Sequence, residues 1–232
     1  MNNENSLPDE GEVILIDKPL EWTSFDVANK LKRACKFKKI GHAGTLDPLA
    51  TGLLILCTGK KTKQIDSYQA QEKEYTGVFV LGKTTPSIDL ETAFDAEYPT
   101  DHIDKALLEE AKNKLTGEIE QVPPIYSAVK VGGERLYKKA RRGETAEIKK
   151  RAVTVSLFEI DDSNFPEIGF KIICTKGTYI RSMVRDFGEL SNSGAYLKTL
   201  RRTRIGSFLV DNASDLTTFI QEKRAALNLP TE

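Results

Sequence analysis

Cysteine and histidine are scarce in this chain, and their scarcity argues against two kinds of site. The three cysteines are odd in number, far apart in sequence and form no CxxC pair, which predicts free, buried thiols in a reducing cytoplasm. The two histidines, His42 and His102, are 60 positions apart and belong to no HExxH pattern, so no His/Cys metal site is expected. A magnesium site built from carboxylates is left open by these counts.

Long apolar runs are also missing. No window approaches roughly 18 consecutive apolar residues, and residues 1–11 are acidic and polar, which excludes a membrane-spanning helix and a secretory signal. The length of 232 residues predicts one large domain whose core needs neither disulfides nor metal. With 39 % apolar and 29 % charged residues, a disordered or fibrous chain is excluded.

Net charge is absent too, since 34 Lys and Arg balance 34 Asp and Glu, but the charges are segregated. Residues 30–39 hold six cations and no acid, residues 130–151 hold nine cations against three acids, and residues 198–204 hold four cations. Residues 84–120 hold ten acids against three cations. A neutral protein with this charge distribution can present a basic face that binds phosphates. The alternative explanation is that the charged runs are the ordinary solvent-exposed faces of helices.

The apolar patterns predict strands and helices that interleave irregularly. Strands are predicted at residues 12–17, 53–57, 74–81, 152–160, 168–175 and 197–208. Helices are predicted at residues 24–34, 101–115, 133–142, 178–190 and 213–226, and an ordered loop at residues 40–51. Without a regular βαβ rhythm, this pattern favours an α+β fold with a mixed, largely antiparallel central sheet flanked by helices.

Nucleotide-binding loops are not found. Residues 59–62 read Gly-Lys-Lys-Thr, which fails the P-loop pattern, and neither GxGxxG nor GxSxG occurs. The most informative stretch is instead residues 41–52, where three glycines permit close backbone approach to a ligand. Within it, Pro48 restricts the backbone of Asp47 and holds its carboxylate in place, although a lone Asp-Pro is usually a turn or a cap.

A second informative stretch is residues 174–181, where a strand ends in Lys-Gly-Thr and leads into a helix. Backbone N–H groups and Arg181 near the helix start form a natural anion site. A capped helix with a surface arginine is the alternative explanation.

Taken together, six stretches resemble the tRNA pseudouridine synthase B (TruB) family, in the family's order and across about residues 13–207. They are Ile16-Asp-Lys-Pro19, the loop at 41–52, Lys73-Glu-Tyr75, residues 123–137, Lys176-Gly-Thr-Tyr-Ile-Arg181 and residues 194–202. The resemblance implies an enzyme that isomerises a uridine in the T-loop of tRNA (position 55 of the tRNA) to pseudouridine, with no cofactor and no metal.

The resemblance also implies roles for individual residues. Asp47 is the catalytic carboxylate and Arg181 pairs with it, while Tyr75 stacks on the target base and assists a late proton transfer. His42 occupies the space that the flipped uridine leaves in the T-loop. Tyr179 and Leu200 line the uridine pocket, and core packing is the alternative explanation for both.

The domain organisation follows from the same resemblance. We expect a disordered segment at residues 1–10, a catalytic domain at 11–210 with a basic RNA-binding insertion at about 125–151, and a short C-terminal helix within 211–232. A C-terminal PUA domain, which many relatives carry, is not expected. The expected partner is the T-arm of tRNA, bound by a monomer without a guide RNA.

Two other functions stay open. One is a guide-dependent pseudouridine synthase acting on rRNA, and the other is a tRNA-binding or folding factor without catalytic activity. The carboxylate of Asp47, together with Tyr75 and Arg181, argues against the second.

Overall fold

The computed structural model describes residues 10–127, 129–145 and 147–230. Nearly all of the segment predicted to be disordered, residues 1–10, lies outside this range. No helix in the described part of the chain is long and apolar enough to cross a membrane.

Fourteen strands are assigned in the described residues. In chain order, β1 to β14, they are Val13–Lys18, Ile40–Ala43, Ala50–Thr58, Lys73–Leu81, Lys83–Thr84, Ala96–Glu97, Gly117–Gln121, Lys130–Val131, Glu134–Arg135, Arg151–Asn164, Glu167–Cys174, Ala195–Ile205, Phe208–Leu209 and Ser214–Asp215.

Six α-helices accompany these strands in the same residues. In chain order, α1 to α6, they are Ser24–Ala34, Ile65–Ala70, Lys105–Lys114, Leu136–Arg141, Ile180–Leu190 and Leu216–Ala226. Two short 3₁₀ turns cover Gly59–Gln64 and Val210–Asn212. This content, with its largely antiparallel strand pairing, confirms the predicted α+β class.

The chain divides into two compact units, one made of the residues up to Lys73 with those from Arg201 onward, the other of Glu74–Leu200. In the first unit the strand order is β14, β1, β3, β12; β1 is parallel to β14 and antiparallel to β3, and β2 also pairs with β3.

Strand β3 forms the centre of the first unit because its apolar side chains are buried on both faces. Alternate residues point to opposite sides of a strand. Leu54 and Leu56 therefore pack with α1 and α6, whereas Leu53, Ile55 and Cys57 pack with Ile205 and Val210.

Helix α1 begins as predicted. Thr23 is its N-cap, and Thr23 and Asp26 form the reciprocal hydrogen bonds of a capping box. The apolar side chains of Val27, Leu31 and Ala34 share one face of this helix and are buried.

In the second unit the strand order is β12, β4, β11, β10, β7, and β10 is antiparallel to both β11 and β7. Aromatic rings fill the core of this unit. Phe79 of β4 lies 4.8 Å from Phe187 of α5 and 6.0 Å from Phe170 of β11, measured between ring centroids.

Three secondary-structure predictions need correction. Residues 40–51 are not all loop, because Ile40–Ala43 pair with β3 and β3 itself begins at Ala50. Helix α3 begins at Lys105 rather than at residue 101, since the side chain of Asp104 caps it by accepting from the N–H of Leu107.

The helix predicted at residues 133–142 is also shorter than expected. A two-stranded hairpin, β8 and β9, precedes it, and α4 covers only Leu136–Arg141. The hairpin turns at Gly132 and Gly133, whose φ angles of 63° and 83° suit a two-residue turn that glycine adopts without strain.

Candidate active site

The loop that carries Asp47 joins β2 to β3 and is held along its whole length within the first unit. Ser24, the first residue of α1, accepts from the N–H of Leu46 at 2.9 Å. The carbonyl of Asp47 accepts from the N–H of Ala50 at 3.1 Å, and the carbonyl of Pro48 from the N–H of Glu21 at 2.9 Å. The half-buried Asp47 is therefore flanked by anchored residues on both sides.

Lys18, the last residue of β1, is fully buried beneath this loop. Its ammonium donates to the carbonyls of Pro19, Trp22 and Pro48, the last at 3.3 Å. Burial lowers the pKa of Lys18 to about 8, an effect that the negative charge of Asp47 opposes and the charge of Arg202 reinforces. This geometry agrees with a supporting role for Lys18 in the loop.

Arg202 of β12 is 1 % exposed and contacts both ends of the loop. Its Nε donates to the carbonyl of Leu53 at 2.8 Å, and its Nη2 to the carbonyl of Gly44 at 3.1 Å. Gly52, with φ of 103°, lies against the same arginine, and a Cβ there would stand 2.3 Å from the Arg202 carbonyl oxygen. Because it is buried, Arg202 is not part of a basic face that this stretch could present to phosphates.

The neighbouring cations of that stretch are paired within the protein. Arg201 forms a bidentate pair with Asp17 at 2.9 and 2.7 Å, and Arg204 pairs with Glu72 at 3.0 Å. Most of the positive charge counted from the sequence in this stretch is therefore balanced locally.

His42 lies on β2, two residues before Gly44, and is half-buried. One ring nitrogen lies 3.3 Å from the hydroxyl of Thr45. Burial, and then the charge of Arg202, lowers the pKa of His42 below its usual value of 6.5. The ring is therefore neutral at physiological pH.

Arg181 lies in the first turn of α5, in the second unit, and is 4 % exposed. Its Nη1 donates to the carbonyl of Ser87 at 2.9 Å and its Nη2 to the carbonyl of Tyr126 at 2.7 Å. Its Nε lies 3.6 Å from Oδ2 of Asp89, which is 5 % exposed.

Asp89 is not among the site residues predicted from the sequence. The structure makes it the buried partner of Arg181 in the second unit. The signal that could have found it is physical: a buried arginine requires a nearby acid, and residues 84–120 are the acidic segment.

Tyr179 precedes Arg181 by two residues and is held by a glutamine that sequence reasoning missed. The amide of Gln121, fully buried at the end of β7, donates to the Tyr179 carbonyl at 3.0 Å and accepts from its N–H at 2.7 Å. The guanidinium of Arg151 lies 5.1 Å from the centroid of the Tyr179 ring. The backbone and one face of Tyr179 are thus fixed within the second unit.

The remaining candidates are strand residues of the second unit. Tyr75 on β4 and Leu200 on β12 are each 9 % exposed. The structure thus groups His42 and Asp47 in the first unit, and Arg181, Tyr179, Tyr75 and Leu200 in the second. The pairing of Asp47 with Arg181 stays a prediction.

The chemistry of the described residues is that of carboxylates, cations and aromatic rings. They include no group of three or more His, Cys, Asp and Glu that could hold a metal ion. The three cysteines are buried thiols that form no disulfide, and burial raises the pKa of Cys57, which disfavours its thiolate.

The insertion exposes cations around a hairpin and a short helix. Arg135, Lys138 and Lys149 are exposed, and Arg141 pairs with Glu91 at 3.0 Å. Arg142 instead forms hydrogen-bonded ion pairs within the insertion, to Glu134 and to Glu144.

Comparisons of the sequence identify relatives over most of the chain. The family model of the TruB family pseudouridylate synthase (N terminal domain) matches residues 32–180. The tRNA pseudouridine synthase B of Flavobacterium johnsoniae is 55 % identical, covering 90 % of this chain and 95 % of the relative. Those of Phocaeicola vulgatus and Thermobifida fusca are 50 % and 42 % identical, covering 90 % of this chain each and 92 % and 74 % of the relatives.

Two solved structures of complexes share the fold of this chain. A Cbf5-Nop10-Gar1 complex matches with a TM-score of 0.69 and 27 % identity, covering 96 % of this chain and 60 % of that chain. An H/ACA RNP bound to a substrate RNA containing 2'-deoxyuridine matches with a TM-score of 0.70 and 22 % identity, covering 98 % and 61 %. This chain therefore spans about 60 % of the length of those two proteins. The similarity to the H/ACA RNP structure, at 22 % identity, shows a shared fold only.

Proposed function

The chain belongs to the TruB family of pseudouridylate synthases, and from that membership we propose how it acts on tRNA. It is an RNA pseudouridine synthase that isomerises uridine in tRNA to pseudouridine. The observation that carries this conclusion is 55 % identity to a tRNA pseudouridine synthase B over 217 residues. The finer assignment, a uridine in the T-loop, follows from the motifs of the six stretches.

The reaction replaces one bond to the sugar by another. The N1–C1′ bond breaks, the base turns, C5 bonds to the same C1′, and the C5 proton is lost while N1 gains one. We propose that Asp47 is the carboxylate that acts at the sugar, either by attacking C1′ or by removing a sugar proton on a glycal route. Supporting this role, the main chain on both sides of Asp47 is anchored, so the loop that carries the carboxylate needs no reordering when substrate binds.

We assign the remaining roles by family resemblance. Arg181 orients the Asp47 carboxylate by a planar, charge-assisted contact. Tyr75 stacks on the flipped uridine, and Tyr179 and Leu200 line its pocket. His42 fills the vacated place in the T-loop; its neutral, half-buried ring favours a role in stacking and shape rather than charge.

The RNA itself is proposed to lie on the insertion. Exposed cations on β9, on α4 and in the segment after it suit phosphate contacts, which position an RNA without reading its sequence. We further propose that the protein works as a monomer in the cytoplasm, where its three thiols stay reduced.

The deciding experiment incubates purified protein alone with an unmodified tRNA transcript and maps pseudouridine. Product at a T-loop uridine without a guide RNA is expected, and Asp47→Asn is expected to bind the transcript without converting it. A transcript with cytidine at the target is the substrate control. Product only with an added guide RNA would support a guide-dependent enzyme, and binding without product would support a tRNA-binding factor.

A further inference from the structure

Arg202 bridges the two ends of the loop that carries Asp47. Its Nε binds the carbonyl of Leu53, at the start of the buried part of β3, and its Nη2 binds the carbonyl of Gly44, just after β2. The segment between those two residues contains Asp47, so one guanidinium sets the separation of the loop's two ends.

The backbone of Arg202 adds a second constraint on the same loop. Gly52 lies against the main chain of Arg202, where a Cβ would stand 2.3 Å from the carbonyl oxygen and 2.7 Å from the amide nitrogen. This contact fixes the distance between Gly52, at the end of the loop, and strand β12. The guanidinium fixes the distance between the two ends of the loop.

Arginine is suited to this position and lysine is not. A guanidinium presents several N–H donors in a rigid plane and serves the two carbonyls in fixed directions, whereas an ammonium on a flexible stem does not reproduce that plane. Burying a charge is unfavourable unless it is hydrogen-bonded, and here two main-chain carbonyls accept from the buried guanidinium.

We infer that Arg202 is a positioning residue for the reaction, acting through the Asp47 loop and not through RNA. This inference rests on the proposed role of Asp47. Because the side chain of Arg202 is 1 % exposed, it cannot reach a phosphate, and its substitution acts on the rate of conversion while leaving tRNA affinity unchanged.

The test compares Arg202→Lys and Arg202→Gln with wild type by single-turnover conversion of a tRNA transcript and by separate measurement of its Kd. We expect a rate constant about 10- to 100-fold lower in both variants, because a displacement of about 1 Å costs up to about 100-fold, and a Kd within about twofold of wild type. The Tm of each variant is measured in parallel, and rates are compared well below it.

Arg224→Lys is the matched control. Arg224 of α6 also donates to main-chain carbonyls, but these belong to Ala34 and Pro230, which lie outside the Asp47 loop. We expect a lowered Tm with a wild-type rate constant. A further readout is rescue: N-ethylguanidinium should raise the rate of Arg202→Ala, whereas ethylammonium at equal ionic strength should not.

The outcomes separate this inference from the proposed function. An inactive wild type would contradict the proposed function before any variant is compared. If wild type is active, the positioning role would be overturned by a rate constant of Arg202→Lys within twofold of wild type. It would also be overturned if Arg224→Lys lost as much rate as Arg202→Lys at an equal loss of Tm. Failure of both Arg202→Lys and Arg202→Gln to fold would assign Arg202 to folding alone and overturn it as well.

Discussion

Arg181 and Asp89 form a buried ion pair, with Nε of the arginine 3.6 Å from Oδ2 of the aspartate. The two Nη groups of Arg181 donate to the carbonyls of Ser87 and Tyr126. Contacts with three different residues therefore fix the plane of the guanidinium. Asp89, which the sequence did not single out, contributes the negative charge among them.

Replacement of Arg181 by lysine is expected to separate binding from chemistry. An ammonium cannot reproduce the planar contacts, so we expect Arg181→Lys to lower the single-turnover rate constant by roughly 100-fold or more, with little change in tRNA Kd. Release of the uridine C5 proton measures the rate. Arg185→Lys, one turn along α5, is the control, because Arg185 binds Asp186 and the carbonyl of Val122. A wild-type rate in Arg181→Lys would contradict the assignment.

The hydroxyl of Tyr75 can be tested apart from its ring. Tyr75→Phe keeps the stacking surface, worth roughly 1–3 kcal/mol per base, so we expect wild-type tRNA affinity. We expect slower conversion if the hydroxyl transfers a proton, measured as the single-turnover rate constant. Full activity of this variant would exclude a role of the hydroxyl, and Tyr75→Leu tests the ring itself by its expected loss of affinity.

His42 is expected to act by shape rather than by charge. Since burial and Arg202 lower its pKa, the ring is neutral at physiological pH, and its removal should leave the salt dependence of tRNA binding unchanged. We expect His42→Phe to retain most of the rate and His42→Ala to lose about tenfold, because flipping a stacked base costs a few kcal/mol. A smaller salt slope in His42→Phe would show that the histidine binds RNA as a cation.

Lys18 predicts a pH dependence of stability. The pKa of Lys18 is about 8 in the folded chain, compared with 10.5 for an ordinary lysine. Between pH 8 and pH 10.5 the unfolded chain therefore keeps a proton on this lysine that the folded chain has lost. The free energy of unfolding therefore rises with pH in this window, by about 3 kcal/mol in total for this group. Urea denaturation of wild type and Lys18→Met across this window measures the difference, and parallel pH curves would contradict the buried ammonium.

The insertion predicts a salt-dependent contribution to binding. Arg135→Glu and Lys138→Glu reverse exposed charges on β9 and α4, and we expect a higher KM in both variants. The slope of log K against log salt should also become smaller, by about one unit for each phosphate that the variant no longer neutralises. Lys105→Glu at the start of α3, in the acidic segment, is the control. Unaltered tRNA binding in both insertion variants would place the RNA elsewhere.

Sequence reasoning succeeded where local interactions decide the structure. The start of α1 was predicted at the right residues because the capping box of Thr23 and Asp26 closes within one turn. Strand β2 was missed because Gly41, His42 and Ala43, three of its four residues, have little intrinsic preference for a strand; pairing with β3 determines their conformation.

The same limit explains what was missed in the candidate site. Asp89 and Arg181 are far apart in the sequence, and only the folded chain brings the two charges together. Arg202 stands between Arg201 and Thr203 in a basic stretch, and residue type alone does not say which of several arginines is buried. Charge counts identified the cations of this segment but not their surroundings.

The neighbouring residues Arg201 and Arg202 on β12 point to opposite faces of the strand. Their different environments help to determine the pairing register of this strand. Arg202 is enclosed among carbonyls, whereas Arg201 reaches the partly exposed Asp17. A slip by one residue would move one arginine into the place of the other, leaving either Asp17 without its cation or the two carbonyls without their donor. Apolar residues usually determine the pairing register of a strand, but in β12 two adjacent cations also make a misregistered pairing unfavourable. We therefore expect misregistered forms of β12 to be rare during folding.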